Sequence, residues 1–271
     1  MKNPFKQRLQ SWFLIILLVS AMQQRLHADP LIVRHVQGTF HGFLELRSQD
    51  GQVVASGDST QVVHGDRITS RTLFTFQDGS TDDETTVFSQ HRTFQLISDH
   101  RIQKGPFFPH PTDVFVNART GQVTTHATGK DGKDEIRTDL LKIPIDLANG
   151  MIPLVIENLG AGAAPATVSL VAATSRAFLV KLVISKVGED TYSLIGSMRK
   201  ATHYEIKIEL GGVAGFVAPL IGKAPPNIEI WVVTGPAPTF VREQGPLYPD
   251  GPTMTIQLAS PTWPGSPKSG D

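Results

Sequence analysis

The chain has 271 residues, with 25 Lys and Arg balanced by 25 Asp and Glu, no cysteine, and 40% hydrophobic residues. A chain of this length can bury a sizeable core in one domain or two. Zero net charge leaves no excess of cations for a phosphate backbone, which argues against a nucleic-acid partner. The lack of cysteine removes disulfide frameworks, thiolate metal sites, cysteine nucleophiles and a lipid-modified N-terminal cysteine.

The first segment reads as a signal peptide. Lys2, Lys6 and Arg8 form a basic region, Trp12 to Val19 is an unbroken apolar run, and small residues follow. The apolar run is shorter than the roughly 18–20 residues that span a bilayer, so no membrane span is expected in the mature chain. Cleavage fits after Ala21 or after Ala28, and Asp29-Pro30 makes the better mature N-terminus. Residues 1–28 carry four bases and no acid, so their removal leaves 21 bases against 25 acids, a net charge of −4. No Asn-x-Ser/Thr sequon occurs, and a bacterial periplasmic or secreted location is the expectation.

From residue 31 short β-type segments alternate with turn dipeptides. Val33–Leu46, Gln52–Val63, Ile68–Phe76, Thr85–Phe88, Thr93–Ile102, Val114–Asn117 and Val123–Thr128 read as strands. Asp50-Gly51, Gly65-Asp66, Asp78-Gly79, Thr120-Gly121 and Asp131-Gly132 read as turns, the first of them type I′. Asp82-Asp83-Glu84 reads as a solvated turn, with Ca²⁺ attraction as its functional alternative. Leu147, Met151, Leu154, Val155 and Leu159 fall near helical spacing, predicting one helix over about 146–159, limited by Gly150 and Pro153. A small-residue connector then leads to strands at Thr167–Ala173, Ala177–Lys186, Tyr192–Met198, Tyr204–Leu210, Asn227–Thr234 and Thr253–Leu258, with a turn at 188–190. The expected organisation is a signal peptide (1–28), a single β-rich domain (29–260) and a disordered tail (261–271). Within the domain, a meander (31–140), a helix and connector (141–166) and a second β block (167–260) follow one another. So many strands must curl, which predicts a mainly β fold: a large curved antiparallel sheet or half-barrel with an apolar interior, plugged by the helix.

Chemical motifs are sparse. Gly160 to Pro165 lacks the third glycine and the following helix of a dinucleotide loop, and no Gly-x-Ser-x-Gly occurs. His91, His100 and His110 lack close metal-ligand spacing, so neither a metal site nor a cofactor is expected. Two apolar loops stand out: 105–111, with Phe107 and Phe108, and the uncharged 211–222, with Phe216. Such loops can line a ligand cavity or seal a core. Phe107, Phe108, Phe216 and Trp231 are therefore the candidate ligand-contact residues.

The signal peptide, the Asp-Gly-punctuated meander and the later wet/dry strands resemble uncharacterised bacterial exported proteins of the DUF3108 type, over residues 31–258. Those are similar in turn to half-barrel lipoprotein-localisation carriers. The resemblance implies a curved antiparallel sheet around an apolar cavity and an envelope compartment, and it implies no reaction. The absent lipobox cysteine and the single helix depart from that pattern. The function expected is a non-catalytic binder of a lipid, another apolar ligand or an envelope protein partner in the concavity. The competing expectation is a secreted hydrolase or metal-dependent enzyme using His100, His110 and nearby carboxylates. A structural or assembly module is the third.

Overall fold

A computed structural model describes residues 29–128, 134–160, 165–173, 176–194, 196–209 and 225–260. The expected signal peptide, the Asp131-Gly132 turn, the 211–222 loop with Phe216 and the tail lie outside the described residues.

The first half is a meander. β1 (Leu31–Ile32) is followed by β2 (Phe40–Arg47), β3 (Val53–His64), β4 (Arg67–Phe76), β5 (Thr81–Gln90), β6 (Thr93–Lys104), β7 (Thr112–Asn117), β8 (Gln122–Thr128) and β9 (Asp134–Leu140). One helix, α1 (Ile152–Glu157), leads to β10 (Ala166–Ala173), β11 (Ala177–Leu194), β12 (Ser197–Glu209), β13 (Ile228–Val233), β14 (Thr239–Pro246) and β15 (Thr253–Leu258). No described helix is long and apolar enough to cross a membrane. All pairings along the sheet are antiparallel, and β15 hydrogen-bonds to β2. From β2 to β9 and from β10 to β15 each strand lies beside its sequence neighbour, β15 joins the two runs at β2, and β1 pairs with β6. β9 and β10 are the two edges, and the segment carrying α1 bridges the slit between them.

The sheet curls because both halves feed one core. Phe88, Phe94, Val116 and Val123 from β5–β8 share a cluster with Phe178, Leu182, Ile184, Ile206 and Ile230 from β11–β13. Leu154, Val155 and Ile156 of α1 fill the space between them. A second cluster at the other end collects Leu46, Ala55, Phe74, Phe76, Phe108, Leu247 and Met254.

The slit is pinned rather than paired. Asp146 and Ala148 exchange backbone bonds with Ser169 of β10 (3.1 and 2.9 Å). The Asn149 side chain donates to Val171 O and accepts from Val171 N, imitating a strand neighbour. On the opposite edge, Asp139 accepts from Ala177 N at 2.9 Å. These bonds cover edge groups that would otherwise lack partners.

Several expectations change. The helix is shorter than 146–159, because Gly150 adopts φ +64 and residues 146–149 serve β10 instead. Asp50-Gly51 is not type I′: only Gly51 has positive φ, and Gly51 N donates to Ser48 O, giving a type I turn with a glycine bulge. β11 runs straight through 188–190 with a register shift between Lys186 and Gly188, so the predicted turn there is a bulge. Asp82-Asp83-Glu84 lies inside β5 and is no turn. β9 and β14 were missed, since their sequences are polar and lack an apolar alternation.

Candidate functional site

The interior-facing residues follow from strand alternation. On β5 they are Asp82, Glu84, Thr86 and Phe88, and on β6 Phe94, Leu96, Asp99, Arg101 and Gln103. The interior is therefore not uniformly apolar, which corrects the sequence expectation. A charged belt separates the two apolar clusters. Arg101 grips Asp82 with both arms, Nε to Oδ1 at 3.0 Å and Nη2 to Oδ2 at 2.7 Å. Gln103 Nε2 also donates to Asp82 Oδ2 (3.0 Å), and Thr86 Oγ1 donates to Asp99 Oδ1 (2.8 Å). Arg101 keeps 36% of its side chain accessible, so water reaches the belt on this side.

Four carboxylates thus share one guanidinium. Burial, then the charge of Glu84, pushes Asp99 well above the ordinary carboxylate range, against the Thr86 hydrogen bond. Burial raises Glu84 as well, against the attraction of Arg101. Glu243 of β14 is pushed up to about 7 by burial, with Arg101 again opposing. Burial works against the charge of Arg101, but Asp82, Glu84 and Asp99 outweigh it and hold its pKa above the usual value. An acid whose pKa rises on folding binds more protons in the folded state, so its stabilising effect is lost as pH rises through the folded pKa. Stability should accordingly fall between about pH 5 and pH 8, by roughly 1–3 kcal/mol after allowing for solvent access. Denaturant midpoints across that range test this, and Glu243→Gln should flatten the profile. An equally steep profile in that variant removes Glu243 from the account.

The candidate ligand-contact residues do not share one surface. Phe107 and Phe108 form a stopper at the end of the second cluster, with Phe76 ring centroids at 4.4 and 5.5 Å and Tyr248 against Phe108 at 5.8 Å. The stopper is tied down by Phe107 N donating to Ser80 Oγ (2.9 Å). Trp231 lies on the opposite, outward face of the sheet. It stacks on His203 at 4.3 Å, sits under Arg242 at 5.1 Å and donates from Nε1 to Asp190 Oδ2 at 2.7 Å.

The histidines are likewise dispersed. His100 faces outward and pairs with Asp113 (2.8 Å). His91 and His110 lie beyond opposite ends of the twelve-residue β6, roughly 40 Å of strand apart. Among the described residues no group of three His, Asp or Glu is placed to hold a metal ion.

What remains is a cavity of about 520 Å³ beside α1. Its apolar lining includes Leu31, Phe94, Val155, Leu159 and Val168, and its polar lining includes Asp29, Arg34, Asp146, Asn158 and Lys181. Asn158 builds one wall: its Oδ1 accepts from Arg34 N (2.8 Å) and His35 N (2.7 Å), while its Nδ2 returns to Leu154 O (2.9 Å). β1 pairs with β6, Leu31 opposite Phe94, and forms another wall. Lys181 Nζ is neutralised by fully buried Asp146 (2.8 Å) and also donates to Ser169 Oγ (2.7 Å). The exposed Arg34 guanidinium packs over Gly160 and has no hydrogen-bond or ion-pair partner among the described residues.

No family model matches the chain. No curated protein matches it either. The DUF3108-type resemblance therefore rests on sequence pattern alone. Among solved structures, the hypothetical lipoprotein YmcC from Escherichia coli (K12) is similar at TM-score 0.39 and 11% identity, covering 90% of this chain and 97% of that one. A β-barrel-like protein of domain of unknown function DUF1849 from Brucella abortus is similar at TM-score 0.42 and 9% identity, covering 82% and 95%.

The cavity was not visible in the sequence. Its walls come from residues 29–34, 155–160 and 165–181 with Phe94 and Asp146, and no periodic pattern links them. The belt had a weak signal: polar residues at 82, 84, 86, 99, 101 and 103 keep the two-residue beat of their strands.

Proposed function

We propose that this is an exported envelope protein that holds one amphiphile, an apolar chain with an acidic head group, in the cavity beside α1. The observation that carries the reading is a chamber of ligand size, apolar on one side and polar on the other, with an arginine at its mouth that has no ion-pair partner among the described residues. Its volume falls within the range of small-molecule sites, roughly 300–1,000 Å³. Leu31, Phe94, Val155 and Val168 would take the chain, and Arg34 the carboxylate or phosphate. Export rests on the pattern of residues 1–28, and cleavage after Ala28 would add an α-amino group at Asp29, on the same mouth. The reading is non-catalytic and moves the ligand away from Phe107, Phe108 and Trp231, whose rings are engaged elsewhere.

A fluorescent long-chain fatty acid titrated into the protein tests the proposal. Saturable one-to-one binding is expected. Arg34→Gln should weaken it about 10-fold, the scale of one charge-assisted hydrogen bond. Ala166→Trp, which fills the chamber from its wall, should abolish it while leaving the thermal midpoint close to the parent's. Absence of saturable binding, or undiminished binding by a folded Ala166→Trp protein, overturns the reading.

A further inference from the structure

β11 and β12 outrun their neighbours. β10 accompanies β11 only as far as Ile184, and β13 joins β12 only from Thr202 onward. Beyond that line five residue pairs, Asp190 with Ala201 through Leu194 with Ser197, form a two-stranded ribbon with no third strand among the described residues. At 3.3–3.4 Å per residue it projects by roughly 15 Å. Two-stranded ribbons are at best marginally stable alone in water. This one nevertheless carries Leu194 at 47% exposure and Met198 at 67%, both near its turn.

Its charge runs against that of the molecule. From Asp190 to Ala201 there are two bases, Arg199 and Lys200, and one acid, Asp190, at the base of the ribbon, so the ribbon is net basic whereas the chain after residue 28 is net acidic. Arg199 has no ion-pair partner among the described residues, and Lys200 has only Glu189 at 3.8 Å. The residues are also layered: apolar Leu194 and Met198 next to the turn, then Tyr192 opposite Arg199, then Thr191 opposite Lys200. An apolar tip followed by an aromatic and a basic tier matches the sequence of environments from acyl boundary to headgroups.

We propose that this ribbon is a membrane-contacting arm that seats Leu194 and Met198 in the interfacial layer of a bilayer bearing acidic headgroups. Arg199 and Lys200 provide the attraction and orient an otherwise acidic protein. The outer edges of the ribbon present unpaired N–H and C=O groups, which hydrocarbon penalises heavily, so the arm stops at the headgroup level and does not span. The proposal is independent of the cavity and survives if no amphiphile binds there.

The absence of cysteine makes the test clean. Met198→Cys carries an environment-sensitive fluorophore at the ribbon, and Thr75→Cys carries it on the exposed outer face of β4. With vesicles of phosphatidylethanolamine containing a minority of phosphatidylglycerol, the ribbon label should shift to the blue and the β4 label should not. Co-sedimentation of the unlabelled protein with the same vesicles should weaken about 25-fold in R199Q/K200Q, given roughly five-fold per basic residue at an anionic surface. It should also fall with added salt. No blue shift, or undiminished co-sedimentation of the double variant, overturns the proposal. A blue shift that grows with protein concentration in the absence of vesicles also overturns it, and assigns the ribbon to a second copy of the chain.

Discussion

Arg101→Met is expected to lower stability by about 2–4 kcal/mol at pH 8, the scale of removing one partner from a largely buried ion pair. Asp82 has only 5% of its side chain exposed and would lose its one cationic partner among the described residues. Glu84, Asp99 and Glu243 would then face it with nothing between them to balance their charge. The loss extends to packing. Arg101 Nη2 (3.3 Å) and Gln103 Nε2 (3.0 Å) both donate to Leu247 O, which anchors the segment between β14 and β15 against the aromatic stopper. The same variant should recover part of its stability as pH falls from 8 to 5, because the raised carboxyls take up protons more readily than ordinary ones and then need no counter-ion. Urea midpoints of parent and variant at both pH values decide it. Equal losses at the two values would show that Arg101 acts through shape and not through charge.

Gly150→Ala should cost about 3 kcal/mol. Gly150 has φ +64, which a residue with a Cβ adopts at a cost of about 1–2 kcal/mol. A Cβ there would also run into Thr86 Oγ1 and come within 2.8 Å of Asp99 Oδ1. The buried Thr86–Asp99 hydrogen bond would have to break or shift, and overpacking adds about 1–3 kcal/mol. Gly51→Ala is the matched control. Its φ is +86 but nothing lies within 4 Å of the added carbon, so only the conformational part, about 1–2 kcal/mol, should appear. Equal urea midpoints for the two variants would show that the contact beneath Gly150 relaxes freely.

The comparison of sequence and structure separates local from long-range information. Strands with strong alternation or a β-branched run, such as Ile68–Phe76 and Thr253–Leu258, were legible because side-chain period and burial coincide within a few residues. The acidic run at 82–84 misled because three adjacent acids resemble a solvated turn. The strand holds them only because Arg71 takes outward Asp83, while Arg101 takes inward Asp82. Glu243 and Arg101 are far apart in sequence, and nothing in either neighbourhood announces that they share an interior. Helical spacing at 147–159 was real, but the first half of that stretch is diverted by Gly150 to cover the edge of β10. The cavity was the least legible feature, since its lining depends on Asn158 reaching more than 120 residues back along the chain.

The seam between β2 and β15 bears on how the chain can be made. Gln257 bonds to Glu45 across 212 residues, so these partners sit at nearly opposite ends of the polypeptide. A chain emerging N-terminus first presents β2 with one row of backbone groups unsatisfied until almost all of the remainder has appeared. Closing so large a loop is slow, and a waiting strand edge is a template for wrong partners. The outward residues of β2 bear on that interval: Arg47 and Glu45 pair at 2.7 Å, and His41 meets Asp58 of β3 at 3.1 Å. Charged side chains on an edge guard against pairing with a wrong strand, and these stand on β2 while β15 is still to come.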